Sequence, residues 1–288
     1  MHFATDGCCA VRQCQHDSQS KQDLVLERTR KETLKTGAPQ VSVYIIAYND
    51  EPNMRACLES VAGWGDELIV VDSHSTDQTA AVSREFTNKV YQVDFKGFGD
   101  LRNQAVALTT HEWVFSLDSD ERMTPELREE IRLVLVGEPD ADAYFVPRKN
   151  YFLGRWIKHC GWYPDYRQPQ LFRKGRFRYR DELVHESFDC DGTVGFLKSP
   201  ALQYPFRDID HYVAKQDRYS DLMARRMLEQ GRRFSSHQLI SHPLGAFLKM
   251  YVQRTGFLDG MQGLILSGLY AYYTFIKYAK FWELSKGN

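Results

Sequence analysis

Asp118, Asp120 and Glu121 crowd three carboxylates into one short segment, straight after the apolar run "WVFSL" at 113–117. Charges of one sign so close together repel, and they are stable only in water or around a cation. Carboxylate oxygens are ligands for hard cations such as Mg2+ or Mn2+, which can bridge a protein to a diphosphate. The plainer reading is a solvated turn. Two further apolar runs end in polar groups: "VSVYIIA" leads into Tyr48-Asn49-Asp50, and "ELIVV" into Asp72-Ser73.

Several ways of using acids after a strand are excluded. No GxxxxGK[ST] loop is present, which removes the P-loop NTPases, and neither "GWGDE" nor "GFGD" is a G-x-G-x-x-G dinucleotide fingerprint. "DSDERMTPELRE" lacks the central glycine of a calcium-binding EF-hand loop. Cys8, Cys9, Cys14 and His16 have zinc-ligand chemistry, but no second ligand pair follows at a suitable spacing.

The elements that must position these residues follow from pattern. Strands are expected at 41–48, 67–72, 89–95, 113–118 and 142–148. Between them lie helical segments: "NDEPNMRACLESV", with Asn49 or Asp50 as cap and Met54, Cys57, Leu58 and Val61 facing the sheet; a second headed by Ser75 and Gln78 at capping-box spacing; "GDLRNQAVALTT"; and a fourth from Thr124-Pro125 to Val136. Strands alternating with single helices imply an α/β fold, with a mostly parallel sheet covered by helices on both faces. Ligands of such sheets sit beyond the carboxyl ends of the strands, so the three polar strand ends should meet in one crevice.

The 288 residues, 43% hydrophobic and 26% charged, suffice for one large domain with an appendage. A net charge of -1 argues against a nucleic-acid binder working through bulk basicity. Residues 1–39 read as a disordered or loosely ordered leader, 40–236 as the domain that carries the three polar strand ends, and 237–288 as a C-terminal helical segment. Six irregularly spaced cysteines and no apolar N-terminal region imply a cytoplasmic protein with reduced thiols. The uncharged stretch Met261–Ile276 is shorter than the roughly 20 residues a spanning helix needs. An interfacial helix on the inner face of a membrane, and a hairpin packed on the catalytic domain or on a second subunit in a homodimer, both fit it.

"SVYIIAYNDEPNMRACLESV", "ELIVVDSHSTDQT", "GDLRNQAV" and "WVFSLDSDE", in this order, resemble an inverting family-2 glycosyltransferase with a GT-A fold. "YPDYRQPQLFR", "ELVHES" and "GFLDGMQGLILSGLYAYYTFIKYAKFWEL" extend the resemblance to a bacterial subgroup related to lipopolysaccharide-core β-1,4-glucosyltransferases. The resemblance implies that Tyr48 and Asn49 belong to the nucleotide pocket and that Asp72 hydrogen-bonds the base. It puts Arg102 near the diphosphate, Asp118 near ribose and metal, and Asp120 on Mg2+ or Mn2+ directly. Asp165 is its first choice of catalytic base, although Pro164-Asp165 replaces the common Glu-Asp pair; Glu186 competes. His185 is then a metal or diphosphate ligand, or a packing histidine, and Arg167 and Arg173 are phosphate or acceptor contacts or ordinary surface cations. Glu121 is expected to turn away toward the next loop and helix. The implied reaction is metal-dependent transfer of a hexose, from UDP-glucose first of all, to a saccharide or glycolipid hydroxyl with inversion. A nucleotide-sugar-binding scaffold without turnover is the rival of another class. A nucleotidyltransferase would need a glycine-rich basic loop where "AYNDEPN" stands.

Overall fold

Val41–Ala47 (β1) is apolar on both faces because the strand is walled in on both: all seven of its residues are buried. It pairs in parallel with Glu67–Asp72 (β2) on one side and Trp113–Asp118 (β4) on the other. This is seen in a computed structural model that describes residues 39–180 and 187–286. His185, Glu186 and the cysteine-bearing leader lie outside the described residues. The chain divides into two units, one of residues 40–131 and 140–288, the other of 1–39 with 132–139. Of the second, only Pro39 and the stretch 132–139 at the end of one helix are described; all that follows concerns the first.

Glu51–Val61 (α1) carries a proline in its first turn and buries Met54, Cys57, Leu58 and Val61, the face its spacing predicts. Thr79–Arg84 (α2) is short, and the expected Ser75–Gln78 capping box does not form. Ser75 instead donates its hydroxyl to the Asp72 carboxylate, a charged acceptor that outcompetes a backbone cap. The expected strand 89–95 contracts to Val90–Gln92 (β3), a half-exposed edge strand paired only with β2. Phe98–Leu108 (α3) precedes β4; Glu121–Arg122 (β5) and the helix from Pro125 (α4) follow it. The expected strand 142–148 is two strands, Ala143–Phe145 (β6) and Arg148–Phe152 (β7), in different sheets. Pro147 between them has no N–H to continue a ladder.

Further strands are Arg155–Trp156 (β8), Pro169–Arg173 (β9), Phe177–Tyr179 (β10), Phe188–Cys190 (β11), Val194–Phe196 (β12) and Ala201–Gln203 (β13). The main sheet runs β12-β6-β9-β4-β1-β2-β3, and β9 alone opposes its neighbours. A smaller sheet has the order β5-β13-β7-β8. The expected mixed α/β architecture, mostly parallel and flanked by helices, is what the chain adopts.

Beneath the strands' amino ends, Glu67 is buried and accepts from Ser42 Oγ, from Lys89 Nζ at 2.6 Å and from Thr110 N at 2.8 Å. Burial opposes its ionisation, but those donors prevail and lower its carboxyl to about 2.

The helical region opens at Ile209, earlier than the expected 237, because Asp208 caps Ile209–Glu229 (α5) by accepting from His211 N at 2.7 Å. Gln238–Leu248 (α6) runs through a π turn (Lys249–Gln253) and a 3-10 turn (Gly256–Asp259) into Gly260–Lys286 (α7). Helix α7 packs its inner face against α5, with Tyr278 and Phe281 on Ala224 and Met227. Gly263 is required there, since a Cβ would lie 2.0 Å from the Gly256 carbonyl oxygen. Among the described residues no helix is long and apolar enough to cross a membrane.

Candidate active site

The three polar strand ends lie side by side because β4, β1 and β2 are adjacent and parallel. Asn49, at φ 49°, turns the chain sharply after β1. Its backbone N donates to Ser75 Oγ at 2.8 Å, and its side-chain oxygen accepts from Thr76 N at 2.8 Å. Tyr48 projects outward and is 59% exposed. Asp72 is wholly buried: Ser75 donates to it from Oγ and, at 3.0 Å, from N, and Gln92 Nε2 donates at 2.7 Å. A cavity of about 380 Å3 opens beside Gln92, lined also by His74, Val93, Asp94, Lys96 and Gln104. That size falls within the range of small-molecule pockets, and its walls offer both donors and acceptors.

At the end of β4 the carboxylates are sorted rather than crowded. Arg102, on α3, lies under Asp118 with 2% exposure and donates Nη2 to both of its oxygens, at 2.8 and 3.1 Å. Burial works against the Asp118 charge, yet Arg102, Arg148 and Arg167 outweigh it and hold the carboxyl below its ordinary value. Arg102 is therefore neither a solvated cation nor a group facing outward; its charge is spent on Asp118. Glu121 does not turn away. It is fully buried and accepts from Arg148 Nε, from Gln170 Nε2 at 2.7 Å and from Asp118 N at 3.1 Å. Burial pushes its carboxyl up, Arg148 opposes this, and Asp118 and Asp120 reinforce it. All three hydrogen-bond partners donate, the arrangement that suits a carboxylate.

Asp120 is held through one oxygen, which accepts from Gln203 Nε2 at 3.2 Å. The other has no hydrogen-bond partner among the described residues, and the buried Gln203 Oε1 beside it has none either. Hard oxygens of this kind fit Mg2+ or Mn2+, which take one or two carboxylates and complete their shell with water and substrate phosphate. No group of three His, Cys, Asp or Glu side chains forms a closed metal cage among the described residues. Asp120 would hold the ion; Asp118 is turned to Arg102.

Asp165 is brought to the same corner. Asn150 Nδ2 donates to it at 3.0 Å and Arg167 pairs with it at 2.7 Å. Arg148, the partner of Glu121, reaches the Asp165 carbonyl at 3.4 Å. Burial works against the Arg167 cation, yet Asp165, then Glu121 and Asp120, prevail and raise its pKa. Arg167 thus lies within the field of the acidic strand end. Arg173 lies apart, on Glu112 and over the Trp113 ring.

Sequence reasoning missed Gln92 and Gln170, and four further groups. Asp50 was expected to cap α1, but its side chain makes no cap bond and accepts from Ser119 Oγ at 2.7 Å, inside the acidic motif. Burial raises its carboxyl, and Asp120 adds to that. Arg148, Asn150 and Gln203 were the others; the alternation of buried Arg148, Asn150 and Phe152 along β7 was the available signal.

A polar cavity beside strand ends that carry carboxylates suits a small polar ligand, and comparison with known proteins gives the family. Residues 42–204 match the family model described as glycosyl transferase family 2, and the chain belongs to that family. It is 29% identical over 255 residues to the lipopolysaccharide core biosynthesis glycosyltransferase LpsC of Rhizobium meliloti, covering 84% of this chain and 92% of that one. An uncharacterized glycosyltransferase of Rickettsia typhi is 27% identical over 261 residues, covering 85% and 88%. Among solved structures, a mannosyltransferase from Pyrobaculum calidifontis in complex with GDP-Man and Mn2+ is 14% identical, with a TM-score of 0.48 and coverage of 95% and 98%. S. aureus TarS in complex with UDP-GlcNAc is 18% identical, with a TM-score of 0.47 and coverage of 86% and 92%.

Proposed function

We propose that this glycosyltransferase transfers a hexose, from UDP-glucose first of all, to a saccharide or glycolipid hydroxyl with inversion, using Mg2+ or Mn2+. The carrying observation is that Asp165 and Asp120 are drawn to one corner through Arg148, Arg167 and Glu121. The nucleotide occupies the cavity at the ends of β2 and β3, where Gln92 lines the wall and is held by Asp72, with Tyr48 and Asn49 contributing from the neighbouring end of β1. A bound cation would neutralise charge on the departing nucleoside diphosphate. Arg167 adds fixed positive charge on the same side. Asp165 takes the proton from the acceptor hydroxyl as it attacks the anomeric carbon from the face opposite the leaving group. Asn150 and Arg167 fix the carboxylate for that task. Asp72, engaged by Ser75 and Gln92, holds the Gln92 amide at the cavity wall, and the pair would recognise the base together. A glycolipid acceptor is in keeping with the relative LpsC, a lipopolysaccharide core biosynthesis glycosyltransferase.

The test is a panel of UDP-glucose, UDP-GlcNAc and GDP-mannose with Mg2+, Mn2+ or chelator, comparing the unaltered protein with Asp120→Asn and Asp165→Asn. Donor hydrolysis should need metal and fall with Asp120→Asn; transfer should fall with Asp165→Asn while donor binding persists. Hydrolysis that survives chelator and Asp120→Asn together would refute the metal role.

A further inference from the structure

Helix α6 buries none of its residues completely. Ile240, Leu244 and Leu248, spaced four apart, are 73%, 56% and 47% exposed, and Val252 continues the line at 54%. A stripe at this spacing occupies one face of a helix. The opposite face is already used, with His242 stacked on Tyr278 of α7 at 4.5 Å. The stripe is therefore a surface in its own right, not the spare edge of a core contact. Its ends are basic. Arg232 and Arg233 lie in the turn before α6, and Lys249 and Arg254 close its far end, all four exposed. None of the four forms an ion pair among the described residues. From Gln230 to Trp282 the sequence holds one acid, Asp259, and that side chain is buried on His159 and the backbone of Lys158 and His159. In a chain of net charge -1 this is a strong local asymmetry.

We propose that α6 seats the protein on an anionic lipid surface, its apolar stripe entering the acyl boundary and its basic ends meeting the headgroups. Apolar side chains flanked by unpaired cations, without competing carboxylates, are what such an interface selects. A second copy of this chain fits worse. In an isologous pair, parallel or antiparallel, basic ends meet basic ends across the seam. The proposal names the surface that would present the protein to a lipid-linked acceptor, and it rests on the proposed function only for that acceptor.

The test is co-sedimentation of the full chain with vesicles of phosphatidylcholine alone and of equimolar phosphatidylcholine and phosphatidylglycerol, at low and high salt. The protein should bind the mixed vesicles, and salt should weaken binding. The triple variant Ile240→Gln, Leu244→Gln, Leu248→Gln should bind at least about tenfold more weakly. The variant Arg232→Gln, Arg233→Gln, Lys249→Gln should lose about fivefold per cation removed. Both variants should keep the far-ultraviolet circular dichroism and the donor hydrolysis of the parent. No binding by the parent, undiminished binding by the apolar variant, or a dimer that this variant dissociates would each overturn the proposal. Vesicle binding without any turnover of nucleotide sugars would sink the transfer reading and leave this surface standing; turnover without vesicle binding would do the reverse.

Discussion

Replacing Arg148 with methionine removes the cation beneath the acidic strand end while keeping a side chain of similar length. Arg148 and Glu121 are 1% and 0% exposed, so neither charge has water to fall back on. Breaking one side of a pair buried this deeply costs about 3–5 kcal/mol, because an uncompensated charge remains. Glu121 keeps two donors, Gln170 Nε2 and Asp118 N, which places the expected loss near the lower end, about 3 kcal/mol. The double variant Arg148→Met, Glu121→Gln should regain about 2 kcal/mol of it, since no naked charge is then buried. The pH dependence has a definite sign. A carboxyl raised in the folded state penalises folding above its unfolded pKa and ceases to do so as pH falls and both states protonate. Burial already pushes Glu121 upward and Arg148 restrains it, so Arg148→Met should recover stability relative to the parent as pH falls. Urea unfolding at neutral and mildly acidic pH, on the parent, both single variants and the double, measures all of this. A loss under about 1 kcal/mol for Arg148→Met, or a double variant no better than the single, would refute the view of a buried ion pair supporting the motif.

Glu67→Gln should destabilise the fold by about 3 kcal/mol at neutral pH, the energy of a carboxyl lowered from 4.5 to about 2. That deficit should hold above pH 4.5 and close as the parent is acidified toward about 2, which acid unfolding of the two proteins side by side would follow. Gln203→Leu should raise the Mn2+ concentration needed for half-maximal donor hydrolysis by at least about tenfold, as removal of a partner holding a metal-binding carboxylate does. An unchanged metal titration would remove Gln203 from the argument. Asn150→Leu should lower the rate of transfer about tenfold with the donor KM nearly unchanged, because the groups that lose a donor are Asp165 and the Trp162 carbonyl, neither lining the cavity, and steady-state kinetics would separate the two constants.

The donor side was legible because it is local. β1, β2 and β4 each run without interruption into the polar residues they carry, so periodicity put Asn49, Asp72, Asp118 and Asp120 at strand ends, and the sheet order makes those ends adjacent. What pattern does not encode is the partner of each charge. Arg102 reads as a helix cation until α3 is packed over β4, where it becomes the clasp on Asp118. Glu121 reads as the motif's outward member because sequence cannot show that Arg148, 27 residues later, folds back underneath it. The split of the expected strand at Pro147 sent β7 into a separate sheet, and with it went the residues that hold Asp165. Helix α5 was missed as part of the C-terminal helices because a lone Asp208 cap is a weak signal.

Asn150 and Gln203 are opposite one another in the parallel pairing of β7 with β13, and each grips a different carboxylate, Asp165 and Asp120. One ruler therefore sets both carboxylates of the proposed reaction. A slip of β13 by a single residue would bring Leu202 to that position and turn Gln203 to the other face. The grip on Asp120 would fail and its alignment with the base would fail with it. The positions of Asp120 and Asp165 are thus not adjustable one at a time; both are indexed by the register of β7 on β13. The spacing between the two carboxylates is locked in the weave of that sheet.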